Sequence, residues 1–577
     1  MTGRTAATAA PDALGTATGW RLRPGVAVTV LRNGLHLRGR RGSVTLEGST
    51  ALPALWRLLE PPLRTGDASE LLRRAEPDPA LRKALDTLVA QLHAHDLLVA
   101  APTGPAADWL TASAGDPALA AAAIAAAPVE VVGGPPGGAL AEAAARALTR
   151  GGARVARPAG TAVPDGVVLL RTGPAEEPCA VAVAVRGGTG YVTAPGSPAQ
   201  ARADAAALLA RTPAGDPDTA GPAAFTALLA GAAAHRLLCA AGGLPDPADE
   251  GDDPRLLPGL PAVLVAGARP PRADYRTWLG PDRIDADRRT AVEPARTLAG
   301  ALARVAALGD ERLGVLPAPH PGTLPQLPVP LAGCELPGGA VLAGAPRLDL
   351  ARLDVFCRAA ELRLGDGLFT VGANPGHAWG RALRRAARHA PAPSPAGAAL
   401  PAPVWSGHPQ AHHWWTTLTV RLGVRARLEV FPAGPEARAH HAVVRRDPAG
   451  GGRAAVLGRA VEAAPGDAAA FAALSAVAAV TAEGAGPSTA GPLYPSSGSV
   501  APLAVAGART AAWEDSGWTT GWLTEVAGRE PALHTALHRL TGLRADPAAP
   551  VAAGARELAG RLAAFGFTVL ATGEGER

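Results

Sequence analysis

The residues that could most directly do chemistry are the glycines of EVVGGPPGGALAEAAARALTRGGARV, residues 130–155. A short apolar strand, a glycine turn, a helix and a second strand follow the order of a nucleotide-binding βαβ unit. A working G-x-G-x-x-G turn needs its middle glycine because the phosphate approaches the backbone there. Counting from Gly133 places Pro135 at that position, and counting from Gly134 places Pro136 there. Proline adds bulk and removes an N–H donor that would have faced the phosphate.

Two further groups that a nucleotide site requires are missing from the sequence. The ribose-binding acid is expected about 20 residues further on, but residues 150–164 contain neither Asp nor Glu. The first acid, Asp165, lies in a Pro-Asp-Gly turn. Lys83 is the single lysine of the chain, so no G-K-[ST] phosphate loop can form. The pattern predicts a βαβ fold without a nucleotide site.

Cysteine and histidine spacings predict neither a disulfide framework nor a metal centre. The four cysteines are scattered without a C-x-x-C pair, at Cys179, Cys239, Cys334 and Cys357. Free and mostly buried thiols are therefore expected, and a catalytic thiol at Cys179 or Cys239 has no neighbour that visibly lowers its pKa. His408 and His412 are four residues apart, but Pro409 disrupts a helix there and no carboxylate accompanies them. Packing, or a surface that faces a peptide, is favoured over metal binding.

Length and composition indicate a folded protein of several domains. The chain has 577 residues, and roughly three or four domains of ordinary size are expected. Hydrophobic residues make up 48% and charged residues 18%, which excludes a disordered chain. The net charge of +5 is too dilute for a nucleic-acid groove. Because the sequence has no run of about 18 apolar residues, we expect no membrane partner and a cytoplasmic location. A homodimer is compatible with the sequence.

Alternating apolar residues predict three short strands within residues 25–47. The apolar positions are Val26, Val28 and Val30, then Leu35 and Leu37, then Val44 and Leu46. Asn33-Gly34 predicts a hairpin turn because both residues tolerate positive φ. Arg41-Gly42 predicts the next reversal, so the three strands form a meander.

A helical period replaces the alternation after residue 50. Apolar residues share one helix face at Leu52, Leu55, Trp56 and Leu59. Asp67 and Glu70 form a D-x-x-E capping pattern ahead of the next helix. Asp78-Pro79 then places an N-cap and a first-turn proline before a third helix, whose apolar residues are Leu81, Leu85, Leu88 and Leu92.

Three strands followed by three helices predict a winged helix over residues 15–104. A DNA-binding winged helix is one interpretation, but Arg82 and Lys83 are too few basic residues for a helix that neutralises phosphates. The order of elements resembles the leader-peptide recognition domain of enzymes that modify ribosomally made peptides. The resemblance implies that a bound leader adds a strand to the meander and packs against the third helix.

Strand addition requires an unpaired backbone edge and apolar pockets beside it. The edge is expected at residues 43–46, and the pockets are expected along the third helix. The predicted leader-peptide contacts are Ser43, Val44, Thr45, Leu46, Arg82, Leu85 and Val89.

Residues 118–285 contain the glycine turn and predict an α/β domain. The stretches EEPCAVAVAVRGGTGYVTAPGS and FTALLAGAAAHRLLCAAGGLPD resemble ubiquitin-activating (E1-like, ThiF-like) proteins, in which a strand-rich segment precedes a closing helix. Active members adenylate a carboxylate with side chains that include a lysine, and many carry a zinc-binding double C-x-x-C. This segment has neither. The resemblance therefore implies a degenerate, Rossmann-type ThiF-like domain without adenylating or zinc chemistry.

Residues 287–577 are predicted to form a C-terminal α+β region. This region is either a degenerate YcaO-like domain or a partner-docking domain. The fragment RAAELR at residues 358–363 resembles the helix that carries an ATP-site glutamate in YcaO proteins, although surface charges at helical spacing are favoured for Glu361. Trp518 and Trp522 share a helix face if their segment is helical, and a loop is equally compatible. The stretch GPSTAGPLYPSSGSVAPLAVAG resembles the L-Y-P stretch of flavin-dependent azoline dehydrogenases, and loop chemistry explains it equally.

A peptide-recognition module fused to a degenerate ThiF-like unit is more specific than either half, and the expected fold class is multidomain α/β. The combination resembles the ocin-ThiF-like proteins, the E1-like partners of azoline-forming cyclodehydratases in thiopeptide and related azole-peptide pathways. It implies a chain with no catalytic residue, cofactor or metal of its own. Such a chain binds the precursor's leader peptide and presents core Cys, Ser and Thr to a separate YcaO cyclodehydratase, which uses ATP and Mg²⁺. The alternatives are a flavin-dependent azoline dehydrogenase and an active ThiF-like adenylating enzyme.

Overall fold

The computed structural model describes most of the chain between residues 20 and 572. The described ranges are 20–40, 42–67, 69–100, 107–134, 138–158, 163–173, 177–212, 222–249, 253, 256–257, 260–278, 292–310, 312–337, 339–389, 399–433, 438–447, 454–484, 493–507, 518–544, 546–547 and 552–572. The chain is a mixed α/β protein with several sheets. It forms two compact units, one of residues 1–252 and 262–275 and the other of residues 253–261 and 276–577.

The first unit begins with a meander followed by three helices. The elements are β1 (Trp20–Leu22), β2 (Ala27–Leu31), β3 (Gly34–Gly39), β4 (Gly42–Glu47), α1 (Leu52–Thr65), α2 (Ser69–Ala75), α3 (Pro79–Ala94) and β5 (Leu98–Ala100). The strands β2, β3 and β4 form an antiparallel sheet in that order. Its inner face packs Leu35 and Leu37 against Trp56 and Leu59, and these four side chains are at most 1% exposed. The alternation therefore marks a buried face at Leu35 and Leu37 of β3, whereas the predicted burial of Val30 on β2 is wrong, since its side chain is 49% exposed.

The predicted cap of the third helix is confirmed. The Asp78 carboxylate accepts hydrogen bonds from the backbone N–H groups of Ala80 and Leu81, each at 3.0 Å. These are donors that the first helical turn leaves without an intrahelical partner. The other capping pattern involves Glu70, whose side chain lies outside the described residues.

The predicted position of the first hairpin turn is wrong by one residue. The two loop residues are Arg32 and Asn33, while Gly34 already belongs to β3 and lies opposite Leu31. Gly34 is needed for packing, because a Cβ atom there would lie 2.3 Å from the carbonyl oxygen of Leu46 on β4. In the second reversal, Arg41 lies outside the described residues. Sequence patterns also missed the antiparallel pairing of β1 with β5, which joins segments far apart in the chain.

The rest of the first unit is built on a sheet of seven strands. Its elements are α4 (Ala107–Ser113), α5 (Pro117–Ala126), β6 (Val129–Val132), α6 (Ala139–Arg150), β7 (Val155–Ala156), β8 (Val167–Thr172), β9 (Ala180–Arg186), β10 (Thr189–Val192), α7 (Pro198–Ala210), α8 (Ala223–Ala241), β11 (Ala262–Ala268) and β12 (Pro271–Thr277). The strand order is β12-β11-β10-β9-β8-β6-β7. The strands β6 and β7 are parallel and joined through α6, which confirms the βαβ unit.

The remainder of that sheet differs from a Rossmann-type arrangement, in which most strands are parallel. Four of the described strand pairs are antiparallel: β6 with β8, β8 with β9, β9 with β10, and β10 with β11. The reason is local. Gly187 and Gly188 both have positive φ and form a two-residue turn between β9 and β10. A turn this short joins only antiparallel strands, because parallel strands need a longer crossover connection. Rossmann-like order is therefore confined to the β6–α6–β7 edge of the described sheet.

The second unit contains three small sheets among its described residues, packed with helices around one large core. Its elements are α9 (Leu298–Leu308), β13 (Leu331–Leu336), β14 (Gly339–Gly344), α10 (Leu348–Gly365), β15 (Phe369–Gly372), α11 (Pro375–His389), α12 (Pro403–Ser406), α13 (Pro409–Thr416), β16 (Ala426–Ala433), β17 (Ala439–Arg446), β18 (Ala455–Glu462), α14 (Pro465–Gly484), β19 (Leu493–Pro495), α15 (Ala501–Val505), α16 (Trp518–Thr541), β20 (Asp546–Pro547), α17 (Ala553–Ala564) and β21 (Thr568–Ala571). The sheets have the orders β13-β14-β19, β15-β21-β20 and β16-β17-β18.

Among the residues that the structure describes, two helices reach the length and hydropathy of a membrane span, α8 and α14. In α14, 72% of the apolar window is buried inside the protein. A core helix of a folded domain has the same composition, so these helices carry little weight for or against a membrane.

Candidate functional site

The edge strand β4 presents a backbone edge without a neighbouring strand among the described residues. The hairpin of β3 and β4 closes at Gly39 and Gly42, which lie opposite each other. Hydrogen-bonded pairs alternate along an antiparallel ladder from such a closing pair. The backbone groups of Val44 and Leu46 therefore point toward β3.

The intervening residues Ser43, Thr45 and Glu47 direct their backbone N–H and C=O groups away from β3 by the same alternation. The Ser43 and Thr45 side chains are exposed. A hydrogen bond of 2.8 Å joins Thr45 Oγ1 to Nδ1 of His36 on β3. This row of unpaired backbone groups is a template for an added strand.

The apolar residues predicted to contact a leader peptide share one core cluster. Val44 and Leu46 are half-buried and pack against the cluster that contains Leu85 and Val89 of α3. Leu85 is 0% and Val89 4% exposed, so both lie beneath the surface and would support a groove from below. Arg82 is half-buried on α3, and its Nε donates to Asp86 across 3.3 Å. The structure thus brings the strand and helix residues into one module, with Leu85 and Val89 inside it.

The glycine turn after β6 is shaped by packing. Gly133 has φ +93°, and a Cβ there would lie 2.9 Å from both the Val163 Cβ and the Val167 carbonyl oxygen. The following Gly134 has φ +76°. Residues 135–137, which include both prolines of the disabled turn, lie outside the described residues. Asp165 is exposed. Close approach of Val163 and Val167 explains Gly133, and the positive φ explains Gly134.

The second unit contains a buried ionic cluster that sequence reasoning missed. Arg381 of α11 donates to Asp354 Oδ1 at 3.1 Å and to Glu361 Oε1 at 2.9 Å, and all three side chains are at most 2% exposed. Glu361 also accepts the backbone N–H of Val371 at 3.1 Å. The interpretation of Glu361 as a surface charge is therefore wrong. Burial raises the pKa of Asp354 to about 6, although the charge of Arg381 opposes the rise.

A second buried arginine, Arg384, lies one helical turn further along α11 and pairs with two carboxylates. Its Nε donates to Glu462 Oε1 at 2.9 Å, and its guanidinium also pairs with Glu530. Glu462 accepts the backbone N–H of Gly498 at 2.8 Å, and His534 Nε2 lies 2.9 Å from Glu530 Oε2. Burial acts to raise the pKa of Glu530, but Arg384 and His534 outweigh it and lower that pKa.

His408 and His412, the histidine pair of the sequence, have different environments, since His408 is half-buried and His412 is exposed. His408 is the N-cap of α13, and its Nδ1 accepts the backbone N–H of Ala411 at 3.3 Å. Its Nε2 lies 3.4 Å from Asp467, which also accepts a hydrogen bond from Trp522 Nε1 at 3.0 Å. Trp522 belongs to α16, so this segment is a helix and not a loop. Within the described residues, no group of three or more His, Cys, Asp or Glu side chains could hold a metal ion.

The cysteines have the environment of structural thiols. Cys239, Cys334 and Cys357 are buried and Cys179 is half-buried, all without a disulfide. Burial raises the pKa of Cys179, which disfavours a nucleophilic thiolate at neutral pH. Burial also raises the pKa of Cys334 to about 11 and that of Cys357 to about 12.

An arginine-lined pocket of about 650 Å³ lies in the second unit. Its lining residues are Arg358, Asp366, Gly367, Arg385, Arg388, Val456, Leu457, Gly458, Arg459, Ser475, Ala479, Leu493, Tyr494 and Pro495. The ring of Tyr494 lies 4.5 Å from the guanidinium carbon of Arg381, 5.9 Å from that of Arg358 and 6.0 Å from that of Arg388. The L-Y-P stretch of the sequence thus lines a concave and positively charged site.

Sequence reasoning missed the buried arginine–carboxylate pairs because their residues lie far apart in the sequence, from Asp354 to Glu530. A usable signal existed in α11, where Arg381 and Arg384 lie between alanines that are buried, such as Ala378 and Ala382. Charged residues at core positions of an amphipathic helix indicate buried pairing or a site.

No family model and no curated protein matches the sequence. Among solved structures, one described as "Heterocyclase in complex with substrate and Cofactor" is 12% identical, covers 96% of this chain and 94% of its own, and has a TM-score of 0.46. The heterocyclase TruD is 13% identical with the same two coverages and a TM-score of 0.44. Likeness at this level establishes no function for this chain.

Proposed function

We propose that this chain is the leader-peptide-binding partner of a YcaO cyclodehydratase in the biosynthesis of azoline-containing ribosomal peptides. It binds the precursor's leader at its N-terminal module and presents core Cys, Ser and Thr for ring formation. The observation that carries the proposal is the open edge of β4, in a module whose apolar core also contains residues of α3.

The edge supports strand addition in two ways. The outward N–H and C=O groups of Ser43, Thr45 and Glu47 supply backbone hydrogen bonds, which give affinity independent of sequence. The half-buried Val44 and Leu46 supply apolar surface for side chains of the bound peptide. Arg82 on α3, which donates to Asp86 at 3.3 Å, is a further contact of the leader in this proposal, while Leu85 and Val89 hold α3 in place from within the core.

The contacts of the described residues and the lysine content of the sequence support the non-catalytic role that this proposal assigns to the chain. Gly133 serves packing, and Lys83 is the single lysine of the sequence. The four buried carboxylates Asp354, Glu361, Glu462 and Glu530 each pair with Arg381 or Arg384. In this proposal, ATP and Mg²⁺ belong to the YcaO partner.

The finer fold assignment belongs to the same proposal. We assign residues 15–104 as a winged-helix leader-peptide recognition domain, residues 118–285 as a degenerate ThiF-like domain of an ocin-ThiF-like protein, and residues 287–577 as a degenerate YcaO-like or partner-docking region. The meander with α1 to α3 supports the first assignment. The β6–α6–β7 unit supports the second.

The division of labour is tested by ATP hydrolysis. The purified full chain should release no phosphate from ATP alone or with precursor peptide. Hydrolysis should begin when a YcaO cyclodehydratase and a precursor peptide with its leader are both present, and it should fall when this chain is omitted. Precursor-dependent hydrolysis by the chain alone would instead support the adenylating alternative.

A flavin-dependent azoline dehydrogenase is the second candidate, and one observation favours it. The L-Y-P stretch at Tyr494 lines a pocket with four arginines, Arg358, Arg385, Arg388 and Arg459, and a flavin phosphate requires such cations. A visible flavin spectrum of the purified chain, and azoline oxidation on added flavin, would support this candidate against the first.

A further inference from the structure

The arginine-lined pocket carries a net positive charge that its own residues do not neutralise. Asp366 is the single acidic residue among its lining residues. It pairs with Arg358 at 2.7 Å, and Arg358 also lies 3.4 Å from Glu361. One of the four arginines is therefore neutralised within the protein.

The other three arginines keep their charge. Arg385 donates to the backbone carbonyl of Phe369 at 3.0 Å, a neutral acceptor. Arg388 lies 6.0 Å from the Tyr494 ring centroid. Among the residues that the structure describes, no carboxylate forms an ion pair with Arg385, Arg388 or Arg459. Three guanidinium groups from α11 and β18 therefore meet at one pocket as an excess of positive charge.

His441 lies close enough to these arginines for their charges to act on it. Burial, followed by the charges of Arg459, Arg388 and Arg445, lowers the pKa of His441 to about 4. The charge of Arg388 also opposes the rise that burial causes in the pKa of Asp354.

We propose that this pocket binds a small molecule through a phosphate monoester group, directly and without a divalent cation. Guanidinium groups match phosphate oxygens with paired hydrogen bonds. Three guanidinium groups balance the charge of a phosphate dianion better than they balance the single charge of a carboxylate ligand. A pocket of about 650 Å³ is also large enough for an organic part beside the phosphate, and the Tyr494 ring offers a face for it.

The lining explains why no cation is required. Mg²⁺ in a phosphate site is held by carboxylates as well as by the phosphate, and the sole pocket carboxylate, Asp366, is already paired with Arg358. Arg385, Arg388 and Arg459 would neutralise the phosphate in place of the metal. This inference goes beyond leader-peptide binding, which uses the first unit.

Equilibrium dialysis of the full chain in EDTA tests the inference, with inorganic phosphate, AMP and FMN as probes. Saturable binding of at least one probe is expected. The double variant R388Q/R459Q should weaken binding at least about tenfold, because it removes two donors of charge-assisted hydrogen bonds to the phosphate. The matched control is R352Q, which changes an exposed arginine of α10 outside the pocket, and it should bind as the wild type does. Preference for AMP or FMN identifies the organic part.

Four results would overturn the inference. They are no saturable binding of any probe, equal binding by wild type and R388Q/R459Q, binding that appears only when Mg²⁺ replaces EDTA, and binding of a polyglutamate peptide in preference to all three probes. Circular dichroism checks that the variants fold. If the double variant unfolds, R459Q alone gives the same test, because Arg459 is exposed on β18 and its loss leaves no buried carboxylate unpaired.

Discussion

At the scale of single residues, the second unit depends on arginines enclosed in its core. Arg384 is 1% exposed, between Glu462 at 1% and Glu530 at 5%. Removing charges of this kind from water is costly, so the arrangement is stable only while each charge keeps its partner. The cluster holds α11, β18 and α16 to one another.

Replacing Arg384 with Met should destabilise the second unit by about 3–5 kcal/mol, because Glu462 and Glu530 would remain buried without their cation. Denaturant unfolding of the full chain measures the change. The control R352M alters an exposed arginine, and its effect should stay within about 0.5 kcal/mol. A loss below about 1 kcal/mol for R384M would contradict this account of the cluster.

His441 should make the second unit sensitive to acid. Its pKa is about 4 in the folded chain, against about 6.5 when unfolded. Between these values the unfolded state binds more protons, so stability falls as the pH drops from about 6.5 toward about 4. Asp354 acts in the opposite sense, since its folded pKa is raised to about 6, so a comparison of variants is needed to isolate His441.

The variant H441Q should lose less unfolding free energy than wild type when the pH is lowered from about 7 to about 4.5. H36Q is the control, since His36 is a half-buried residue of the first unit's meander, outside the second unit, and bonds to Thr45, and it should follow wild type. If H441Q and wild type lose equal free energy, the low pKa of His441 is refuted.

At the scale of elements, two glycines differ in the space that their surroundings leave for an added Cβ atom. Gly133 has φ +93° and no room for a Cβ atom, whereas Gly231 lies within α8 with nothing within 4 Å of an added Cβ. The same chemical change therefore has opposite consequences at the two positions.

The variant G133A should lower stability by about 1–3 kcal/mol through backbone strain and contact with Val163 and Val167. G231A should raise stability by about 0.5–1 kcal/mol, because alanine is the better helix former. Thermal melting of both variants measures the difference. A neutral G133A would mean that the turn is not fixed by packing and that its glycines need another explanation.

Local patterns predicted the elements of the first unit well, for physical reasons. The meander has one buried face, so period-two alternation is visible, and Asp78 caps α3 through atoms two and three residues away. The pairing of β1 with β5, the antiparallel order of the seven-stranded sheet and the burial of Glu361 depend on distant contacts. No local spacing encodes them.

The second unit was less predictable because two of its long helices, α10 and α14, have little periodicity. In α14, the run from Gly466 to Ala478 is buried on every side, so alanine covers all faces and no amphipathic stripe remains. Arg385, Arg388, Arg459 and Tyr494 come from three elements. Such a site becomes visible when the fold is known.

At the scale of the whole molecule, the proposals give the two units different tasks. The first unit binds a peptide along the edge of β4, and the second binds a phosphate group in its arginine-lined pocket. Neither task requires chemistry by this chain. This agrees with a protein that organises a reaction catalysed by another chain.

The central claim is leader capture at the β4 edge, and paired proline variants test it most directly. The N–H of Thr45 points away from β3, so T45P removes a donor for an added strand without removing one from the sheet. On the opposite edge, Val30 of β2 has the same outward orientation, because the adjacent pair of Leu31 and Gly34 closes that hairpin. V30P is therefore the matched control.

The measurement is fluorescence anisotropy of labelled leader peptides, taken from a panel of azoline-peptide precursors and titrated with the full-length chain. Wild type and V30P should bind saturably with similar Kd, and T45P should bind at least about tenfold more weakly, a loss of about 1.4 kcal/mol. Absence of saturable binding by wild type, or equal binding by T45P and wild type, would contradict leader capture at this edge.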